Sequence, residues 1–184
     1  MLLKLRALER EDLQQLRDWR NSEALRHSFR NSRLLNMVNQ QDWFQRISTS
    51  RDVEMFGIEI NSELVGVCGL CNIDWVNRTA ETSRYLAPEP VGDDGDVADA
   101  GADGADGNED QIRAMAVMDL LIHKAFYEFN IHRLWTEVYP FSKGNIEVLE
   151  RSGFIREGVL REHVYKQGTH HDSYIYGLLR EDVW

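Results

Sequence analysis

Apolar side chains recur along this chain with two periods, one of about two residues and one of about 3.6 residues. The shorter period predicts strands at 3–7, 53–60, 63–73, 79–86, 131–139 and 173–179. The longer period predicts helices at 9–19, 23–28, 39–48 and 111–129. Asn61 and Ser62 lie between two predicted strands and favour a tight turn there.

The helix predicted at 111–129 carries the longest apolar stripe of the chain. Its members are spaced by three or four residues: Met115, Met118, Leu121, Ile122, Ala125, Phe126 and Phe129. Helices and strands interleave along 184 residues, a length typical of one domain. We therefore predict a single α/β domain over 1–184, layered as α+β, with a mixed central sheet flanked by helices.

Composition is that of an ordinary globular protein except in one segment. The net charge is −10, but nine acidic residues lie between 89 and 110, and without them it would be −1. A nearly neutral body does not favour nucleic-acid binding. No apolar run approaches the roughly 18 residues of a membrane span, and the first residues lack a signal-peptide pattern. Cys68 and Cys71, the only cysteines, lie in a strand-like run, so we expect free thiols and a cytoplasmic location.

A helix, a stop signal, a strand and a turn follow one another between Ser142 and Gly168. Ser152 and Gly153 end the helix where a left-handed cap is favoured. Next come G-F, E-G-V-L-R-E and Y-K-Q-G, in that order. This stretch resembles the C-terminal half of the GNAT (Gcn5-related) N-acetyltransferase family, whose pattern is N-x-x-S/A-I-x-x-L/Y-E-K-x-G-F followed by E-G-x-x-R.

The resemblance covers nearly the whole chain and implies the GNAT fold. It also implies an acyltransferase that moves acetyl from acetyl-CoA, its co-substrate, to a primary amine. The segments at 64–70, 73–81 and 132–134 look closest to the branch with ribosomal-protein, polyamine and amino-sugar acetyltransferases. The implied partner is a small-molecule amine or a protein N-terminus, without nucleic acid or membrane, and a homodimer is compatible with the branch.

The resemblance assigns roles to the strand predicted at 79–86. In the family this strand splays from its neighbour and holds the pantetheine arm of CoA through its main chain, which makes Tyr85 and Leu86 candidate cofactor contacts. Glu81 is the candidate general base that takes the proton of the acceptor amine. The alternatives are a structural role for Glu81 and simple packing for Tyr85.

Further candidates come from the C-terminal helix. Ser142 stands where the family commonly has asparagine, and it is the candidate proton donor to the leaving thiolate; the alternative is a helix N-cap. The tyrosine that often serves as this donor maps to Leu149, which cannot donate. Asn145 is a candidate contact of the CoA arm, or it only opens the helix.

The chain departs from the family at the loop that binds the CoA diphosphate. The pattern Q/R-x-x-G-x-G/A maps onto 109–114, where only the final Ala114 matches. Ile112, Arg113 and Ala114 are the candidate contacts, since a helix N-terminus attracts phosphate. An acidic loop would repel it. The alternative function is therefore a GNAT-fold binding module, or a degenerate enzyme that has lost its phosphate loop.

The segment 89–110, rich in glycine and aspartate, permits four interpretations. It is disordered, or it folds back and leaves the helix N-terminus free, or it binds a cation, or it is a local replacement or artefact of the sequence. The spacing of Asp99, Gly101, Asp103, Gly104 and Asp110 only partly matches a calcium loop. A cation-responsive domain is the third functional hypothesis. Elsewhere no metal site is predicted, because the neighbours His170 and His171 would point to opposite faces of a strand.

Overall fold

Seven strands form one sheet in the computed structural model, which describes residues 2–26, 28–88 and 108–183. They are β1 (Leu3–Ala7), β2 (Glu54–Ile60), β3 (Glu63–Asp74), β4 (Thr79–Leu86), β5 (Arg133–Val138), β6 (Ile155–Lys166) and β7 (Thr169–Leu179). Their order across the sheet is β1-β2-β3-β4-β5-β7-β6. Only β4 and β5 are parallel. The predicted mixed sheet is confirmed.

Helices pack on both faces of the sheet. They are α1 (Leu13–Asn21), α2 (Glu23–Arg26), α3 (Met37–Thr49), α4 (Asn108–His123) and α5 (Lys143–Arg151), with 3-10 turns at Arg10–Asp12 and Arg180–Asp182. One face forms the larger core with α4 and α5. The other forms a smaller cluster with the first three helices. The side chains of β4 therefore point into both layers: Ala80 lies in the larger core and Tyr85 in the smaller cluster.

The long helix differs from its predicted bounds at both ends. It begins at Asn108, three residues before the predicted start, and from Lys124 to Glu128 it continues as a wider π-helical turn. Its apolar stripe faces the core as predicted: Leu121 and Phe126 are fully inaccessible to solvent, whereas Met115 and Phe129 at its two ends are half-buried.

The first three helices also differ from their predicted bounds, because local hydrogen bonds set their ends. A 3-10 turn precedes α1, and α2 ends at Arg26 rather than at 28. The hydroxyl of Ser22 accepts from the N–H of Leu25 at 3.3 Å. Helix α3 starts at residue 37 rather than 39, because the side chain of Asn36 accepts from the N–H of Asn39 at 2.9 Å and caps it.

Two of the predicted turns are confirmed in detail. Asn61 and Ser62 both have positive φ (50° and 74°), as a two-residue hairpin requires. Gly153 has φ 91° and ends α5; the N–H groups of Gly153 and Phe154 donate to Glu150 and Leu149. The last strand is longer than predicted, since β7 begins at Thr169 rather than at 173 and pairs with β6 across a turn at residues 167–168.

Candidate active site

A cleft opens in the middle of the sheet where β4 and β5 separate. The two strands pair only from Thr79 to Glu81, opposite Arg133 to Trp135. Beyond that point β4 stays paired with β3 as far as Leu86, and β5 stays paired with β7 as far as Val138. The gap between them is a cleft of about 510 Å³. One edge of β4, over residues 82–85, therefore faces the cleft with its main-chain groups, and Leu86 does not line it.

Glu81 lines the cleft at the point where the two strands part. It is only 7% exposed. Its Oε1 accepts from Nη2 of Arg30 at 2.6 Å, and its Oε2 accepts from Nδ2 of Asn72 at 2.7 Å. These hydrogen bonds give Glu81 the structural role that was one predicted alternative, and its role as general base stays a prediction.

A second buried carboxylate, Glu137, shares the guanidinium of Arg30. Nε of Arg30 lies 3.0 Å from Oε2 of Glu137, and its Nη2 lies 2.7 Å from the same oxygen. Nδ1 of His163 is 2.9 Å from the other Glu137 oxygen and 2.9 Å from the hydroxyl of Ser173. Burial opposes the charged form of Glu137, but the Ser173 hydrogen bond and the charges of Arg30 and His163 outweigh it, so the pKa of Glu137 is lowered.

Arg30, Asn72 and Glu137 were not predicted from the sequence. Asn72 sits at an irregularity of the β3–β4 ladder with φ 49°, a backbone that asparagine tolerates, and this turns its amide toward Glu81. Arg30 lies in an irregular segment after α2, held from behind by Lys166, which donates to the carbonyl groups of Phe29 and Arg30. The sequence carried one signal for Glu137, which lies inside a predicted strand, as Glu81 does.

Aromatic side chains continue the cleft wall on the face of α1–α3. Tyr85 is buried, and its ring meets Phe29 edge to face with centroids 5.3 Å apart. Burial raises the pKa of Tyr85 above its ordinary value. Tyr85 thus packs as one alternative predicted and also lines the cleft, and its role as a cofactor contact stays a prediction. Leu86, at the end of β4, is half-buried against the larger core.

The opposite wall of the cleft comes from the start of α5. Ser142 is buried at the N-cap position, but its hydroxyl makes no capping hydrogen bond. Asn145 accepts from Nη2 of Arg84 at 2.6 Å, which joins α5 to β4 across the cleft. Leu149 is buried on the same wall. Tyr139 also lines the cleft, and burial raises its pKa, which keeps the phenol protonated near neutral pH.

The residues predicted to form the phosphate loop are helical instead. Residues 109–114 belong to the first turns of α4. Ala114 is fully buried, whereas Ile112 is 53% exposed. Arg113 forms ion pairs with Asp110 at 3.3 Å and Glu109 at 3.7 Å. Because the first four N–H groups of a helix lack helical partners, the free donors belong to residues 108–111.

We predicted disorder and a partial calcium-binding pattern for the acidic segment. Most of that segment, residues 89–107, lies outside the described part of the chain. Within the described part, no cluster of three or more metal-binding side chains occurs. His170 and His171 contact different rings, those of Tyr165 and Phe141.

The two cysteines are free, as predicted. Cys68 is buried and Cys71 half-buried. Burial raises the pKa of Cys68 to about 12 and that of Cys71 to about 11, so neither thiol offers a reactive thiolate at neutral pH. Among the described helices, none combines the length and apolarity needed to span a bilayer.

Known proteins share this sequence pattern. The profile of the acetyltransferase (GNAT) domain family matches residues 5–175. YdaF of Bacillus subtilis (strain 168), provisionally named a ribosomal N-acetyltransferase, is 29% identical over 141 residues, which cover 77% of this chain and 67% of YdaF. Spermidine N(1)-acetyltransferase of Vibrio cholerae is 22% identical over 171 residues, which cover 92% of this chain and 88% of that enzyme.

A solved structure shares the fold as well. The crystal structure of spermidine N-acetyltransferase from Vibrio cholerae in complex with CoA and spermine has a TM-score of 0.82 at 21% identity, over 98% of this chain and 97% of that chain. At 21% identity, the similarity to this crystal structure concerns the fold alone. The family profile, in contrast, spans nearly the whole sequence, from β1 into β7. On this ground the chain belongs to the GNAT acetyltransferase family.

Proposed function

We propose that this protein transfers an acetyl group from acetyl-CoA to a primary amine, carried by a small molecule or by a protein N-terminus. The observation that carries the proposal is the buried carboxylate of Glu81, where β4 and β5 part. The family supplies the reaction class. Relatives named for spermidine and for ribosomal N-acetylation support an amine acceptor.

The cleft suits an extended thioester co-substrate. Acetyl-CoA supplies the acetyl group in activated form. We assign its pantetheine arm to the free edge of β4, including Tyr85 and Leu86, with Asn145 on the opposite wall. We assign its diphosphate to the start of α4, where free N–H groups and the helix dipole favour an anion. Ile112, Arg113 and Ala114 follow directly in that helix, and Arg113 would exchange its ion pairs with Glu109 and Asp110 for the diphosphate.

Glu81 and Ser142 carry the proton transfers in this proposal. Glu81 takes a proton from the acceptor amine, directly or through one water. Its two hydrogen bonds fix its orientation and leave further lone pairs for a proton. Ser142 gives a proton to the departing sulfur, because its hydroxyl lines the cleft and caps no helix N–H group. Both groups recover their starting state through exchange with water.

The proposal is tested by release of free CoA thiol from acetyl-CoA when primary amines are added. We expect Glu81→Gln to lower kcat by about a hundredfold or more. Its amide oxygen still accepts from Arg30, and the amide of Asn72 can turn over to match it, so the fold should persist. Glu63→Gln is the matched control, since Glu63 is exposed in β3. Full activity of Glu81→Gln would exclude this residue as the base.

A second candidate function is a GNAT-fold binding module without catalysis. It is favoured by one observation: Glu109 and Asp110 stand in the first turn of α4, where the family binds phosphate. Calorimetry with acetyl-CoA separates the two functions. Binding together with thiol release supports the enzyme, and the absence of acetyl-CoA binding supports the module.

A further inference from the structure

Positive side chains outnumber negative ones along the cleft. Arg84 donates to Asn145 on the wall of α5. The other charged residues that line the cleft are Arg20, Arg30, Arg46, Glu81 and Glu137. Apart from Arg84, three guanidinium groups therefore accompany two carboxylates in the cleft.

The two carboxylates are already matched within the protein. Arg30 contacts both of them, at 2.6 Å from Glu81 and 2.7 Å from Glu137. The negative charge of the cleft is thus partly neutralised before any acceptor arrives. Arg20 and Arg46 are the cations that remain, and neither forms an ion pair with any carboxylate in the described part of the chain.

Arg20 lies over an aromatic ring and forms no ion pair within the described residues. Its guanidinium lies 3.6 Å from the centroid of the Phe29 ring, and Phe29 packs against Tyr85. Its Nε is buried and has no hydrogen-bond acceptor among the described residues. Burial lowers the pKa of Arg20, and the contacts with Phe29 and Tyr85 do not offset this cost fully. An anionic ligand group beside Arg20 would supply the missing counter-charge.

We propose that the acceptor is an amine that also carries a carboxylate or a phosphate, and that Arg20, with Arg46, binds this anion. The inference rests on the proposed acetyl transfer to an amine and narrows its substrate class. Arg20 is the main contact, because its guanidinium packs over the ring of Phe29 inside the cleft. Arg46 adds charge from the exposed face of α3. The amine end lies toward Glu81, which lines the same cleft.

The same charges act against a polyamine. A second ammonium group beside Arg20 and Arg46 meets two like charges, which disfavours binding. The acceptor class inferred for this chain therefore differs from spermidine, the acceptor in the names of several relatives.

The test is calorimetric binding in the presence of CoA, with three families of linear probes matched in length. They are ω-amino acids of increasing chain length, unsubstituted alkylamines and α,ω-diamines; aminoalkyl phosphates form a fourth arm that separates phosphate from carboxylate. Probes of several chain lengths sample the distance between the amine and the anion of the acceptor. The variants are Arg20→Met, Arg20→Lys and Arg46→Met. Arg10→Met is the control, because Arg10 is exposed and does not line the cleft.

We expect the best anion-bearing probe to bind about 10- to 100-fold more tightly than the alkylamine of the same length. This preference should disappear in Arg20→Met, weaken in Arg46→Met, survive partly in Arg20→Lys and remain intact in Arg10→Met. Equal or tighter binding of alkylamines or diamines overturns the inference, as does a preference that survives in both methionine variants. If no anion-bearing amine binds, the inference also fails, while thiol release with another amine would leave the proposed acetyl transfer standing.

Discussion

Arg30 and Glu81 meet at 2.6 Å between Nη2 and Oε1, although 51 positions separate them in the chain. The contact joins the irregular segment after α2 to the strand that borders the cleft. Because Arg30 also contacts Glu137, one side chain fixes the two buried carboxylates of the site. The orientation of the candidate base therefore depends on a residue far from it in sequence.

Removal of Arg30 should damage both stability and activity. In Arg30→Met two buried carboxylates lose their shared cation, and we expect about 1–3 kcal/mol less stability to urea, a range reduced because Arg30 itself is half exposed. Acetyl transfer should fall as well, since Glu81 is no longer oriented. Arg30→Lys keeps the charge and should recover part of both. A methionine variant with native stability and activity would contradict the structural role.

Glu137 should make stability depend on acidic pH. Its pKa in the folded protein lies below the ordinary 4.5, so it contributes stability that is present above pH 4.5 and is lost as pH falls through the folded-state value. We expect Glu137→Gln to flatten this part of the curve of unfolding free energy against pH. Glu147→Gln, an exposed residue of α5, is the control. Superimposable curves for Glu137→Gln and the native protein would show that the buried carboxylate gains nothing from its neighbours.

The hydroxyl of Ser142 should matter for the chemical step and not for binding. We expect Ser142→Ala to lower kcat by about tenfold or more, with acetyl-CoA affinity unchanged by calorimetry. Stability should change little, because the hydroxyl makes no capping bond. Tyr139→Phe is the informative comparison, since Tyr139 is the neighbouring protonated hydroxyl of the cleft. If Tyr139→Phe lowers kcat and Ser142→Ala does not, the proton donor is Tyr139.

The acidic segment should weaken the binding of acetyl-CoA. Six aspartates lie between residues 91 and 107, directly before the helix N-terminus assigned to the diphosphate. We expect a short glycine-containing loop in place of 91–107 to increase acetyl-CoA affinity, most clearly at low salt, because salt screens repulsion. Changing the six aspartates to asparagine keeps the length and isolates the charge. Unchanged or lower affinity in both variants, with the fold intact, would refute the electrostatic argument.

Local signals determined the secondary structure and the family. The stripe from Met115 to Phe129, the turn at Asn61 and Ser62, and the cap at Gly153 depend on spacing and on backbone preference, both of which a sequence carries. The predicted ends of helices and strands were wrong where a cap or a contact with a distant strand set them. Asn36 extends α3 toward its N-terminus, and pairing with β6 extends β7 from residue 173 back to Thr169.

The sequence by itself determined that this chain has a mixed α/β fold of the GNAT type, because periodicity and motif spacing are local properties. The resemblance to the family then made Glu81 and Ser142 the candidate catalytic residues. The tertiary structure decided how those residues are surrounded. The divergence of β4 from β5 opens the cleft, and the register of the sheet brings Glu137 beside Glu81. Arg30 and Arg20 acquire their roles only through contacts between distant segments, which no short-range pattern encodes.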